Sequence, residues 1–152
     1  MSFRILGLPA ERFAPLFALD DAKLAAIGGL RQIAERPSPC RVSLRDAEPG
    51  EELLLINYEH HPLASPYRMR YAIYVREGDE TYDRVDEVPE QLRKRMLAAR
   101  SFNDRGMLVA HELVDGRALE PVIKRQLADE RARYLHLHFA SAGCYAARVE
   151  RA

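Results

Sequence analysis

Cys40 and Cys144 are the only cysteines in 152 residues, and they lack CxxC spacing. A chain of this length can bury a sufficient core without disulfide staples, so no disulfide framework is required. Excess charge is missing too: Lys plus Arg number 23 and Asp plus Glu number 23, a formal net charge of zero. Bulk electrostatic capture of nucleic acid or of an anionic membrane is thereby disfavoured, because that affinity accumulates from many phosphate contacts. No apolar run approaches membrane-spanning length, and Met1–Gly7 has no signal-peptide core. Gly78, Gly106, Gly116 and Gly143 form no phosphate cradle, and no HExxH, GxSxG or nucleotide-binding fingerprint occurs. These absences lead to an expectation of a single cytoplasmic domain over residues 1–152 with reduced thiols, no cofactor, and no nucleic-acid or membrane partner.

What is present is an ordinary globular composition, 47% hydrophobic and 30% charged, too apolar for disorder. Residues 3–8 read as an opening strand, followed by a helical turn over 11–17 that buries Phe13, Leu16 and Phe17. Asp20 or Asp21 caps a helix carrying Leu24 and Ile27, which Gly28-Gly29 ends. Cys40–Arg45 alternates at period two and predicts a strand, with Cys40, Val42 and Leu44 inward and Arg41, Ser43 and Arg45 outward. A turn at 47–51 leads to Leu53–Ile56, a strand apolar on both faces, and Tyr71–Arg76 is its partner.

Val88-Pro89-Glu90 opens a helix whose stripe is Leu92 and Met96. Strands at 100–102 and 107–114 flank the turn Asn103–Gly106. A helix over 119–128 presents Leu119, Val122, Ile123 and Leu127, with Pro121 in its first turn. Tyr134–Phe139 alternates as a strand, Gly143 breaks the chain, and Tyr145–Val149 pairs back. Many strands joined by short turns, with few helices between, predict an α+β fold: a mostly antiparallel sheet with two to three flanking helices.

The segment richest in chemistry is 57–70, read as a long ordered connection between strands. It holds Asn57, Tyr58, Glu59, His60, His61, Ser65, Tyr67, Arg68 and Arg70. Long ordered connections are usually functional, and two prolines with aromatic anchors argue for order. Arg68 offers a planar fork of donors for an anion, and His60 titrates near neutral pH. Asn57, Tyr58, Ser65 and Tyr67 supply hydrogen bonds, which completes a ligand-binding set for a small anionic metabolite. His60, Cys40 and Asp46 are the candidates for catalysis. The bland alternative is a clamped loop whose charges are simply solvated.

On a strand, Tyr134, His136 and His138 project from one face, the spacing by which two imidazoles share a metal. His111, Glu112, His60 or His61 is available as a further ligand, although neighbouring strand histidines are more often just a half-polar sheet face. His111-Glu112 lies on a strand apolar on both faces, which places one ionisable group in a partly buried setting. Cys40 and Cys144 sit among apolar residues, as inert thiols do. A binding site is one reading. Others are a non-enzymatic interaction or homodimerisation module presenting Tyr67, Tyr71 and Tyr74, and a metal site through His136 and His138.

The run Pro39–Leu44 with Asp46 and Pro49-Gly50-Glu51 resembles a bacterial family, domain-of-unknown-function family 1203. So do Leu54–His60, Ser65–Arg68, Tyr71–Glu77, Gly143-Cys144-Tyr145 and Arg148–Arg151. The resemblance spans nearly the whole chain and implies no reaction, cofactor or partner. It also leads one to expect a second cysteine near Cys144 where this chain has Ala147, which leaves no dithiol at that end.

Overall fold

A computed structural model describes residues 1–152 as two antiparallel sheets, of six and three strands, and a separate two-stranded antiparallel pair. Strand accounts for 41% of residues and helix for 21%. The strands are β1 (Phe3–Leu6), β2 (Gly29–Ile33), β3 (Ser38–Pro39), β4 (Asp46–Ala47), β5 (Glu52–His61) and β6 (Met69–Val75). They continue with β7 (Asp83–Val85), β8 (Met96–Phe102), β9 (Leu108–Asp115), β10 (Tyr134–Phe139) and β11 (Tyr145–Arg151). Helices α1 (Ala10–Phe13), α2 (Asp21–Ala26) and α3 (Glu90–Arg93) are short, and α4 (Leu119–Ala128) alone exceeds six residues. No helix is long and apolar enough to cross a membrane.

The larger sheet has the order β7-β1-β11-β10-β8-β9, and the smaller runs β2-β5-β6. Period-two alternation divides β10 cleanly: Leu135, Leu137 and Phe139 join the main core, where α4 contributes Leu119, Val122, Ile123 and Leu127. Burying each such side chain stabilises the fold by ~1.5–3 kcal/mol. The smaller sheet turns Leu54, Ile56, Ile73 and Val75 onto Phe13, Leu24 and Tyr145. Its β5–β6 end therefore lies over the face of the larger sheet that α4 does not cover.

Three expectations fail for identifiable reasons. Cys40–Arg45 is a turn rather than a strand, with Leu44 at φ 52. Arg41, expected outside, is 2% exposed. Its Nε donates to the Tyr145 carbonyl at 2.8 Å and another nitrogen to Cys144 Sγ at 3.0 Å, with a further bond to the Pro39 carbonyl. The helix opened by Val88-Pro89-Glu90 is the single turn α3, and Met96 begins β8 as an exposed residue. Half of the 57–70 connection is strand: β5 runs through His61 and β6 starts at Met69, leaving 62–68 as loop. Both hairpin arms extend because Tyr58 pairs with Tyr71 and Glu59 with Arg70 across the ladder.

Candidate functional site

Four of the five histidines meet between the two sheets. His136 and His138 stand on the uncovered face of β10, with 3% and 1% of their surface exposed. His60 and His61 arrive from the end of β5, at 8% and 2%. Consecutive strand residues normally point to opposite faces; here the ladder skips a residue between Glu59 and His61, and this bulge turns both rings toward β10. The His60 ring centroid lies 6.0 Å from that of His136 and 5.2 Å from that of His138, while His61 lies 5.3 Å from His136. Tyr145 stacks on His60 at 5.0 Å, and Phe102 packs on His61 at 4.5 Å.

The imidazoles divide by whether Nδ1 has a partner. His61 Nδ1 is 3.0 Å from the Tyr67 carbonyl, which only accepts, so this nitrogen carries the proton. Its Nε2 then accepts the Tyr134 hydroxyl at 2.7 Å. His138 Nδ1 likewise donates to the Gly143 carbonyl at 2.9 Å. The Nδ1 atoms of His60 and His136 are buried with no partner. Such orphaned groups cost about 1–3 kcal/mol each and call for a reason. Burial drives all four rings toward the neutral form. His60 is pulled down to about 4 by burial and then by His61 and Arg100, and His138 to about 3 by burial. His136 is held well below the usual range by burial and by Arg148, and His61 is lowered chiefly by burial.

A cavity of about 340 Å³ opens on this cluster. Its walls are the four imidazoles, Arg68, Arg100 and the apolar Pro66, Tyr67, Met69, Phe102 and Leu108. No carboxylate lines it. Ladder register explains Arg100: it lies opposite His136 on β10 and opposite His111 on β9, and Arg148 flanks His136 from the other side. Arg31, Arg41, Arg76, Arg95 and Arg148, the other arginines not fully exposed, each bind an acceptor. Arg100 binds none, and its only perturbation is desolvation.

A family model described as "Protein of unknown function (DUF1203)" matches residues 37–151. The chain belongs to this family. The matched span includes every residue lining the cavity. Neither the curated proteins nor the solved structures contain a match to the chain.

Within this DUF1203 domain, the residues singled out from sequence divide into groups. His60, Tyr67 and Arg68 line the cavity, but Arg68 is 58% exposed and paired with Glu59 at 3.1 Å. Asn57 accepts from Arg70 on the outer surface, Tyr58 packs edge-on to Phe13, and Ser65 Oγ donates to the Gly106 carbonyl at 3.0 Å. Cys40 is fully buried among Ala34, Ala47 and Leu53, its thiol pushed up to about 11 by burial. Asp46 bridges Lys94 at 2.8 Å and Arg95 at 2.9 Å, and neither Cys40 nor Asp46 lines this cavity. His111 is exposed and Glu112 pairs with Arg125, so neither ionisable group of that strand is buried.

No three His, Cys, Asp or Glu side chains are arranged to hold a metal ion. Arg100 intervenes between His136 and His111, and both His61 nitrogens are committed. Sequence reading missed Arg100. The available signal was a lone charge in the otherwise uncharged run Met96–Phe102.

Proposed function

We propose that this domain binds a small organic anion in the cavity between the β5–β6 hairpin and the histidine face of β10. The unpartnered guanidinium of Arg100 carries the reading. A half-buried cation beside apolar walls, with no carboxylate in reach, is matched by a ligand that brings its own negative charge. The volume lies within the range of small-molecule sites, and the mix of apolar walls with a few convergent polar groups is characteristic of them. Phe102, Tyr67 and Met69 receive the body of the ligand. Arg68, already satisfied by Glu59, guards the mouth.

Binding is favoured over proton transfer because His60 at about 4 is a poor acid–base group at neutral pH. The test is the melting temperature of wild type and Arg100→Met against a panel of small carboxylates and phosphates. A ligand at ~100 times its dissociation constant adds about 2.7 kcal/mol. Stabilisation of wild type that Arg100→Met abolishes supports the reading. A flat wild-type response, or equal stabilisation of both proteins, removes it.

A second reading, homodimerisation, is favoured by the unpaired edge of β9, an eight-residue strand with Leu113 64% exposed. Sedimentation equilibrium at high protein concentration decides it: a monomer throughout excludes this reading.

A further inference from the structure

The polar groups on the cavity wall narrow the ligand class, given that an anion binds there at all. His138 is the informative one. A backbone carbonyl accepts only, so the 2.9 Å contact from Nδ1 to the Gly143 oxygen fixes the single proton of this neutral ring on Nδ1. Nε2 is left as a bare lone pair. It has no partner in the protein and is not among the sealed, unpartnered nitrogens, which are Nδ1 of His60 and of His136. A buried residue lining the cavity thus presents an acceptor to whatever occupies it.

An acceptor in an apolar cavity calls for a donor. A cationic donor is disfavoured: no carboxylate lines the cavity, Arg100 does, and Arg148 stands behind His136. The donor is therefore neutral, and a hydroxyl is the simplest. Arg100 lies opposite His136 on the ladder and Ala98 opposite His138, so Arg100 and His138 are diagonal neighbours. Diagonal pairs are separated by roughly 7–8 Å, within the span of one small molecule.

We infer that the cavity takes a hydroxylated organic acid, with its carboxylate on Arg100 and its hydroxyl donating to Nε2 of His138. An analogue without the hydroxyl leaves that acceptor buried and unsatisfied, which is how polar sites discriminate most strongly.

Two matched pairs test this by calorimetry: 3-phenyllactate against 3-phenylpropionate, and 2-hydroxyisocaproate against 4-methylpentanoate. The hydroxylated member of at least one pair is expected to bind at least about tenfold tighter. In His138→Phe, which removes the acceptor at similar volume, that gap closes, and in His138→Gln, which keeps an acceptor, part of it returns. Should these variants fold poorly, the ¹⁵N resonance of His138 Nε2 in wild type reads the same contact, shifting with the hydroxy acid only. Equal affinities within both pairs, or a His138 resonance that ignores the hydroxyl, overturn this inference and leave the anion site standing. Failure of all four acids to bind overturns both.

Discussion

Arg100 and His136 face each other directly across the β8–β10 ladder, and neither side chain finds a hydrogen-bond partner in the protein. Desolvated polar groups left unpaired lower stability, so their retention side by side is the feature that a ligand site explains.

Replacing Arg100 tests that relationship without any ligand. Because the guanidinium makes no ion pair, Arg100→Met forfeits no hydrogen bond or salt bridge and relieves desolvation of a half-buried charge. Its stability in urea is expected to equal or exceed that of wild type, by up to about 1 kcal/mol. A loss above about 1 kcal/mol would show that Arg100 is a structural group.

Arg41 gives the opposite expectation. Its guanidinium ties the 41–44 turn to the Tyr145 carbonyl, the Pro39 carbonyl and Cys144 Sγ, and stacks over Phe139 at 4.9 Å. Arg41→Met leaves those acceptors buried and unpaired, at a cost of about 2–4 kcal/mol in denaturant unfolding. Arg41→Lys recovers little, since one ammonium cannot span three directions.

The imidazole cluster makes the fold acid-sensitive. His60 and His138 titrate near 4 and 3 when folded but near 6.5 when unfolded, so below pH 6.5 the unfolded chain binds more protons. Their neutral-state stability is complete above pH 6.5 and is lost progressively as pH falls toward 4. Urea melts between pH 7.5 and 4.5 should show a decline on the order of 1–3 kcal/mol per ring. Stability independent of pH across that window would mean the rings are not buried as described.

Gly106 lies against Leu63 of the 62–68 loop and against His61. It sits at φ 72, and a Cβ there would lie 2.9 Å from Leu63 Cδ1 and 3.0 Å from His61 Cε1. Gly106→Ala is expected to cost about 1–3 kcal/mol and to raise amide exchange in the 62–68 loop. Unchanged exchange there would show that the loop is held by Ser65 and Tyr67 alone.

Much of this was readable from residue order. Alternation placed Tyr134, His136 and His138 on one face, and the apolar stripe gave α4 within its true bounds. Other features depend on contacts that sequence spacing does not contain. Nothing local says that β8 is the neighbour of β10, so Arg100 could not be set beside His136. The bulge after Glu59, which brings both His60 and His61 inward, has no marker such as glycine. Cys40–Arg45 alternates like a strand, yet tertiary contacts from Arg41 fold it into a turn.

The most direct measurement is a side-chain NMR titration of the labelled protein with benzoate, a small planar carboxylate. Saturable shifts of the Arg100 Nε–H together with the His60 and His136 ring nitrogens are predicted, with Arg68 little affected. Shifts confined to surface arginines, or no saturable shift at Arg100, would contradict an anion site in this cavity.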